Sequence, residues 1–151
     1  MTEPNLRPAV AEQAEAVADL ARAAYAKYVP RIGRAPAPMV ADFPAAIAAG
    51  EVHVLSVGRA LVGFIVLRNG PDHLFVENIA VHPDWQHRGF GRRLMVFAEA
   101  TALARGLPAL RLYTNVMMTE NIPFYGGLGF VETERRHEDG FDRVYMEKRL
   151  A

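Results

Sequence analysis

The chain has 151 residues, of which 51% are hydrophobic and 23% are charged, a composition that is typical of one compact domain and excludes a disordered or fibrous chain. Lysine plus arginine and aspartate plus glutamate balance at seventeen each, so the chain lacks the overall positive charge that supports non-specific binding to nucleic acid. Cysteine is absent, which excludes a disulfide framework, a thiolate zinc site and a protein thiol that could carry a reaction intermediate.

The N-terminal third is predicted to contain a short strand and two helices. Residues 6–8 form the strand, and residues 9–28 repeat apolar side chains at steps of three and four, which predicts an amphipathic helix. Residues 29–39 are rich in proline and are predicted to form a loop, because proline cannot continue a helix. Residues 40–49 are rich in alanine and end at Gly50, as is typical of a helix that stops at a glycine.

The middle of the chain is predicted to form three strands. Residues 52–57 and 61–67 are rich in β-branched side chains and are separated by a Gly-Arg dipeptide, which indicates a hairpin. Residues 73–81 are nearly all apolar, with Glu77 and Asn78 as the main exceptions. A strand of this composition is expected to lie buried in the centre of a sheet.

The C-terminal part alternates between helices and strands. Residues 89–105 are predicted to form a long helix, residues 109–115 a strand and residues 121–127 a short helix. Residues 130–136 and 143–148 are predicted to form a final hairpin that turns at an Asp-Gly pair.

The order of these elements predicts a single domain, residues 1–151, of the mixed α/β (α+β) class. No stretch approaches the roughly 20 apolar residues that span a bilayer, and the N-terminus has neither the basic nor the apolar region of a signal peptide. We therefore expect a cytoplasmic protein, a monomer or homodimer, that has neither a membrane nor a nucleic acid as its partner.

The most informative segment is the turn between the buried strand and the long helix. Gly89 and Gly91 open this helix, and glycine lets the unpaired N–H groups of a helix N-terminus approach an anion closely. Arg88, Arg92 and Arg93 stand at the positive end of the helix dipole, which is unfavourable for the helix alone. The turn therefore predicts a bound polyanion. The alternative is a tight turn followed by solvated surface arginines.

The glycine spacing does not fit two common nucleotide-binding motifs. The dinucleotide fingerprint needs a third glycine where this chain has Leu94, and the phosphate loop needs a Gly-Lys-Ser/Thr sequence that is absent here. Gln86-x-x-Gly89-x-Gly91 instead resembles motif A of the GNAT superfamily of acetyltransferases, Q/R-x-x-G-x-G/A.

A second segment extends this resemblance. Asn121-x-x-x-Tyr125-x-x-x-Gly129-Phe130 resembles motif B of the same superfamily and follows motif A in the expected order. The resemblance implies a mixed, mostly antiparallel central sheet flanked by helices, and an acetyl-CoA-dependent N-acetyltransferase. No metal is expected, because none of the five histidines is paired with a carboxylate at metal-ligand spacing.

The resemblance also implies how acetyl-CoA is bound. In that superfamily the strand before motif A splays from its neighbour, and the gap takes the pantetheine arm. Backbone groups of the splayed strand would then pair with the pantetheine amides, the glycine-rich turn would surround the pyrophosphate, and two asparagines would reach acetyl-CoA from the other side. The expected binding residues are Ile79, Ala80, Val81, Gln86, His87, Arg88, Gly89, Phe90, Gly91, Arg92, Asn115 and Asn121.

Two catalytic residues are expected. Tyr125 resembles the general acid of the superfamily, because a phenol is protonated at neutral pH and can donate to the departing thiolate; the alternative is an aromatic ring that fills the seam between helix and sheet. Glu77 is the candidate general base, because a carboxylate in a buried strand is costly unless it is paired or lies at a cleft. The alternative for Glu77 is a structural carboxylate bonded to a neighbouring strand or an arginine, and His53, His73 and His82 compete with it for the role of base.

The acceptor is expected to contact the first helices and the proline-rich segment after them. Tyr25, Tyr28, Arg31 and Arg34 lie there, and two arginines could bind a carboxylate between them; the alternative is solvated arginines on a surface lid. We therefore expect a small amine with an anionic group as acceptor, acetylated directly in a ternary complex because the chain has no thiol. A protein or peptide amine and a non-catalytic acyl-CoA-binding module are the alternatives.

Overall fold

The computed structural model describes residues 3–150. In this part of the chain seven strands form one sheet in the order β1-β2-β3-β4-β5-β7-β6. The strands are β1 (Pro4–Pro8), β2 (Val52–Val57), β3 (Ala60–Asn69), β4 (Leu74–Val81), β5 (Ala109–Asn115), β6 (Val131–Glu138) and β7 (Phe141–Arg149). The α-helices are α1 (Ala14–Tyr25), α2 (Val29–Ile32), α3 (Phe43–Ala48), α4 (Phe90–Ala104) and α5 (Asn121–Gly127). None of the helices within residues 3–150 has the length and apolar character needed to cross a membrane.

The sheet is mixed and is covered on both faces. Neighbouring strands are antiparallel except β4 and β5, which are parallel. Helices α1 and α3 pack on one face through buried side chains such as Leu20 and Phe43, which share a core with Phe64 of β3. Helix α4 packs on the other face, where Leu94 shares a core with Ile65. The single α+β domain with a mostly antiparallel sheet therefore agrees with the predicted class.

Strands β4 and β5 diverge in the middle of the sheet. Their pairing comprises Leu74 with Leu110 and Phe75 with Arg111. Beyond these residues each strand stays paired with its outer neighbour, β4 with β3 and β5 with β7. The carboxyl ends of β4 and β5 are therefore separated by a gap, which is the splayed arrangement that the motif resemblance implies.

A β-bulge lies at Glu77, opposite the middle of β3. Asn78 is paired with Val66, but the next pair is Val76 with Leu67, so Glu77 is the extra residue on β4. A bulge changes the face to which the following side chains point. Val76 accordingly belongs to the core under α4, whereas Asn78 bonds with residues of the α1 side, Tyr25 and Pro38.

The segment predicted as a proline-rich loop is more regular than expected. Val29–Ile32 forms a turn of α-helix, and Ala37–Val40 forms a 3₁₀ turn. Pro30 is accommodated because it stands in the first turn of α2, where a missing N–H breaks no helical hydrogen bond. Gly33, with a φ of 91°, ends α2 in the left-handed conformation that favours glycine. The prediction that residues 29–39 form a loop was therefore wrong for Val29–Ile32, which is helical.

Candidate active site

The open end of the gap between β4 and β5 continues into a groove of about 400 Å³. The groove is bounded by β4, by the glycine-rich turn with the start of α4, by the start of α5 and by the end of α1. Its lining residues are Ala24, Tyr25, Lys27, Tyr28, Ile79, Ala80, Val81, Trp85, Gln86, His87, Gly89, Phe90, Gly91, Arg92, Glu120, Asn121, Phe124 and Tyr125. Ten of the twelve residues expected to bind acetyl-CoA line the groove, and Asn121 is among them. The structure places Arg88 and Asn115 elsewhere, as described below.

The backbone of β4 offers two donors to the groove. The His82 amide donates to the Val62 carbonyl of β3 at 2.8 Å, and backbone groups alternate in direction along a strand. Ala80 therefore faces β3, whereas Ile79 and Val81 face the gap. Ala80 was expected to offer backbone groups to acetyl-CoA, and this geometry instead commits its backbone to the sheet.

The two carbonyls of β4 that face the gap already have partners. The Tyr25 hydroxyl donates to the Ile79 carbonyl at 2.9 Å, and the Gln86 side-chain amide donates to the Val81 carbonyl at 3.0 Å. The N–H groups of Ile79 and Val81 are thus the backbone groups that this edge can still offer to a ligand. Gln86 acts on the strand itself in this structure.

The start of α4 has the backbone geometry of an anion site. Gly89 precedes the helix with a φ of 85°, and a Cβ at this position would meet no atom within 4 Å. A Cβ at Gly91 would lie 3.1 Å from Cζ of Phe124, so this glycine allows the ring of α5 to approach α4 closely. His87 is also in the left-handed region, with a φ of 65°. The first N–H groups of α4 have no partner within the helix and adjoin the groove.

Of the three arginines at this end of α4, Arg92 lines the groove. Arg88 is exposed, and its guanidinium lies 4.8 Å from the centre of the Trp85 ring. Arg93 is exposed as well. The positive charge that the sequence concentrates here is therefore present, but one arginine of the three borders the groove.

A smaller pocket of about 40 Å³ lies between β4 and β5 on the side of α1. It shares Tyr25, Ile79, Asn121 and Tyr125 with the groove, so the two cavities meet at these residues. The other residues that line the pocket are Pro36, Ala37, Pro38, Val76, Glu77, Asn78, Leu112, Tyr113, Thr114, Asn115, Met118, Phe141 and Arg143.

Tyr125 stands where the groove and the pocket meet. The residue is buried, and its ring lies 5.9 Å from that of Phe130 between centroids, so it also fills the seam between α5 and the sheet. Its hydroxyl makes no hydrogen bond to any residue in the range 3–150. Burial raises the pKa of this phenol well above its ordinary value, so the hydroxyl is protonated at neutral pH and free to donate.

Glu77 lies on the wall of the pocket but is less buried than expected. Its side chain is 31% exposed, and Oε2 lies 2.9 Å from Nη1 of Arg68 on β3. The bulge explains both facts, because it turns Glu77 out of the alternation of β4. The structure therefore shows the ion pair with an arginine that a purely structural role predicts. The same carboxylate also borders the pocket.

The remaining candidate residues are held by other contacts. Asn115 lines the pocket rather than the groove, and its Oδ1 accepts from the Met117 amide at 2.9 Å. None of the three competing histidines, His53, His73 and His82, lines either cavity. No group of three metal-ligating side chains occurs between residues 3 and 150.

The two arginines expected to bind the acceptor do not come together. Arg31 forms an ion pair with Glu120 at the start of α5. Arg34 donates to the Asp139 carbonyl, and its guanidinium lies 3.7 Å from the centre of the Phe141 ring. Each arginine thus ties the segment after α1 to a different element, and neither lines the pocket. The two arginines therefore do not form the expected binding site for a carboxylate. Their contacts with Glu120 and with the Asp139 carbonyl are called the Arg31 clasp and the Arg34 clasp.

The two expected tyrosines have different roles. Tyr25 lines both cavities, but its buried hydroxyl is engaged by Asn78 and Ile79. Tyr28 lines the groove, and its hydroxyl lies 3.4 Å from Glu120. Burial raises the pKa of both phenols, so both are neutral at physiological pH.

Sequence reasoning missed Tyr113 and Arg143 in the pocket wall. Arg143 is 7% exposed, bonds to Glu138 at 3.2 Å and to Asp139 at 3.3 Å, and lies 4.3 Å from the centre of the Tyr113 ring. The pattern of β7 gave one indication. Arg143 is adjacent to the core residue Val144, so the two side chains belong to opposite faces of the strand. Alternation alone could not show that the face of Arg143 borders a cavity.

The family comparison agrees with the geometry. Residues 48–132, more than half of the chain, match the model of the acetyltransferase (GNAT) domain. Over 74 residues the chain is 43% identical to mouse N-alpha-acetyltransferase 80, a match that covers 49% of this chain and 22% of that protein. The matched segment thus spans about a fifth of that relative's length.

Solved structures share the whole fold. The PaiA N-acetyltransferase of Thermoplasma acidophilum, solved with coenzyme A, has a TM-score of 0.81 at 20% identity, over 98% of this chain and 99% of that one. The ribosomal-protein-S18-alanine N-acetyltransferase of Escherichia coli has a TM-score of 0.77 at 22% identity, over 99% and 95%. As the two sequence motifs predict, the chain belongs to the GNAT family of acetyltransferases.

Proposed function

We propose that this acetyl-CoA-dependent N-acetyltransferase acetylates the primary amine of a small molecule, which reaches the thioester through the pocket. The observation that supports this proposal is the meeting of the groove and the pocket at Tyr125. The pocket, at about 40 Å³, has room for a few water-sized groups. A slender amine on a methylene chain fits such a space, and a branched or substituted amine does not.

The groove has the donors that acetyl-CoA requires. The N–H groups of Ile79 and Val81 would bind the carbonyls of the pantetheine arm and the thioester, as a strand edge binds an added peptide. The N–H groups at the start of α4 and the guanidinium of Arg92 would bind the pyrophosphate. Acetyl-CoA supplies an electrophilic carbonyl carbon and a thiolate leaving group.

Tyr125 is proposed as the general acid. As the bond between the amine nitrogen and the acetyl carbon forms and the carbon–sulfur bond breaks, the hydroxyl of Tyr125 would give its proton to the sulfur. The acetylated nitrogen must lose one proton to become an amide, and this proton would restore the Tyr125 hydroxyl. Its lack of a partner within residues 3–150 leaves this proton uncommitted. Holding the amine and the thioester in line supplies much of the remaining acceleration.

Glu77 is proposed as the group that removes the proton of the incoming ammonium. Its carboxylate borders the pocket, and its partial exposure gives the proton a route to solvent. The ion pair with Arg68 holds the carboxylate at the wall of the pocket.

The second candidate acceptor is the N-terminal amine of a peptide or protein. The match to N-alpha-acetyltransferase 80 over about half of the chain favours it. A peptide needs more room than the pocket has. The Arg34 clasp to the β6–β7 hairpin would have to open for a peptide to lie between the hairpin and the segment after α1.

Release of the thiol from acetyl-CoA tests the proposal. We expect turnover with short primary alkylamines and much less with peptides of matched N-terminal residue. Preference for peptides would favour the second candidate, and binding of acetyl-CoA without turnover of any amine would indicate a non-catalytic module.

Replacing Tyr125 tests the acid. Tyr125→Phe removes only the hydroxyl, so we expect kcat to fall at least about tenfold with the acetyl-CoA Kd within about twofold. Tyr145→Phe is the matched control, because Tyr145 has a hydroxyl bonded to Glu138 and lines neither cavity. Equal kcat in wild type and Tyr125→Phe would remove Tyr125 from the mechanism.

A further inference from the structure

Asn78 lies at the back of the pocket, on β4, and connects three elements. It is 3% exposed. Its Nδ2 donates to the Pro38 carbonyl at 2.9 Å, and its Oδ1 accepts from the Tyr25 hydroxyl at 2.8 Å. The side chain therefore links the central strand to α1 and to residues 36–38, which form the roof of the pocket. Both its oxygen and its nitrogen are hydrogen-bonded.

The chemistry of these groups fixes the direction of each bond. The carbonyl of Pro38 can only accept, so the amide nitrogen of Asn78 must face it. The amide oxygen then faces Tyr25, whose hydroxyl must be the donor. The same hydroxyl lies 2.9 Å from the Ile79 carbonyl, so its single proton is shared between Asn78 and Ile79. Burial raises the pKa of Tyr25 well above its ordinary value, which keeps this donor protonated.

The bulge at Glu77 makes this arrangement possible. Without the extra residue, Val76 and Asn78 would lie on the same face of β4, because side chains alternate along a strand. With it, Val76 belongs to the core beneath α4, and the amide of Asn78 reaches the α1 side. A buried polar network of this kind is stable only when each member has its partner.

We propose that Asn78 is a positioning residue that holds the acetyl-CoA side and the acceptor side of the site in one arrangement. Through Tyr25 it orients the backbone at Ile79, whose N–H faces the groove. Through Pro38 it fixes the roof of the pocket. Tyr25, which the sequence suggested as an acceptor ligand, is then part of this support. The inference rests on the proposed function, since it assigns the groove to acetyl-CoA and the pocket to the amine.

Two conservative substitutions separate the two links. Asn78→Asp keeps an oxygen for Tyr25 but replaces the donor to Pro38 with a second oxygen, so we expect the acceptor KM to rise about tenfold and kcat to stay within about threefold. Tyr25→Phe keeps the Asn78–Pro38 bond but frees the Ile79 carbonyl, so we expect kcat to fall about tenfold with the acceptor KM within about threefold. Asn78→Leu breaks both links and should show both effects.

Each variant is compared at equal amounts of folded protein. The stoichiometry of acetyl-CoA binding gives the folded fraction, and Tm gives the stability. Asn69→Asp serves as the control for the amide-to-acid change, because Asn69 is exposed and bonds to Arg105 far from both cavities. Asn78→Leu keeps the test decisive if the buried carboxylate of Asn78→Asp prevents folding.

The proposal is supported if Asn78→Asp changes mainly the acceptor KM and Tyr25→Phe changes mainly kcat. A merely structural role would lower Tm and the folded fraction of both variants without this division between KM and kcat. Folded Asn78→Asp and Asn78→Leu with an acceptor KM within twofold of wild type would overturn it. Wild-type protein that binds acetyl-CoA but acetylates no amine is a different result, which refutes the proposed function instead.

Discussion

The groove and the pocket meet at Tyr125 but are built in different ways. The groove is formed largely by one continuous segment, residues 79–92, which offers backbone N–H groups. The pocket is formed by side chains from separate segments, among them Tyr25, Asn78, Tyr113 and Arg143. A site made of backbone groups depends on conformation and tolerates most side-chain changes, whereas a site made of side chains changes with each substitution. We therefore expect variants of the groove to alter acetyl-CoA binding and variants of the pocket to alter the amine step.

The largest expected effect is on the pocket side, at Glu77. Glu77→Gln keeps the shape of the side chain but removes its ability to accept a proton, so kcat should fall by about 100-fold, the lower end of typical general-base effects. The acetyl-CoA Kd, measured by calorimetry, should stay within about twofold because Glu77 does not line the groove.

Glu51→Gln is the matched control for Glu77→Gln. Glu51 and Glu77 both bond to Arg68, at 3.1 Å and 2.9 Å, but Glu77 alone of the two borders the pocket. Similar kcat values for the two variants would show that Glu77 acts only through its ion pair and would remove it from the mechanism.

The next effect is on the groove side, at Gly89. Its φ of 85° lies in the left-handed region, where a β-branched residue costs about 1–2 kcal/mol or more. In Gly89→Val the turn should relax and rotate the first N–H groups of α4 away from the groove. We expect the acetyl-CoA Kd to rise about 30-fold, which corresponds to about 2 kcal/mol.

Gly106→Val is a close control for Gly89→Val. Gly106 follows the other end of α4 with a φ of 71°, and as at Gly89 a Cβ there would meet no atom within 4 Å. Both variants should lose similar stability in urea unfolding, whereas only Gly89→Val should weaken acetyl-CoA binding. Equal Kd values would show that the groove does not depend on the conformation of this turn.

A smaller effect is expected at Arg143. Arg143→Leu retains the side-chain volume but removes the bonds to Glu138 and Asp139. Both carboxylates are partly exposed and can turn to water, so we expect the free energy of unfolding to fall by about 1–2 kcal/mol. Arg136→Leu, at an exposed site of β6 whose arginine pairs with Glu134, should change the free energy of unfolding much less. Equal losses of unfolding free energy in the two variants would mean that burial does not strengthen the bonds of Arg143.

The same contrast explains what could be predicted from the sequence. Strand, turn and helix of the groove are adjacent in the chain, so the spacing of Gln86, Gly89 and Gly91 was enough to place it. Helix α5 and strand β5 were predicted with the bounds that the structure has, because glycine, proline and asparagine mark their ends.

The pocket could not be predicted in the same way, because its parts come together only through tertiary structure. The bulge that redirects Asn78 depends on the register between β3 and β4, which periodicity does not reveal. Arg31 and Arg34 looked available in the sequence, but Glu120 and the backbone of Asp139 lie far along the chain and take up their donors. A single sequence therefore gives the least information about which groups the long polar side chains of the site bond to.

The smallest effect is expected where the groove is joined to the segment after α1. The guanidinium of Arg31 lowers the pKa of Glu120 from its ordinary value of 4.5 to about 2. A carboxyl with a lowered pKa in the folded state stabilises the protein above its unfolded pKa, and this contribution disappears as the pH falls from about 4.5 to about 2. The Glu120 side chain is 46% exposed, so we expect Glu120→Gln to lower the free energy of unfolding by less than about 1 kcal/mol at pH 7. Urea unfolding at pH 7 and pH 2.5 measures this difference, which should shrink at the lower pH.

Glu134→Gln, at an ion pair within β6, should leave acetyl-CoA binding unchanged, whereas Glu120→Gln should weaken it slightly because Glu120 lines the groove. A loss at Glu120 that is the same at both pH values would mean that the Arg31 clasp does not depend on the charge of Glu120.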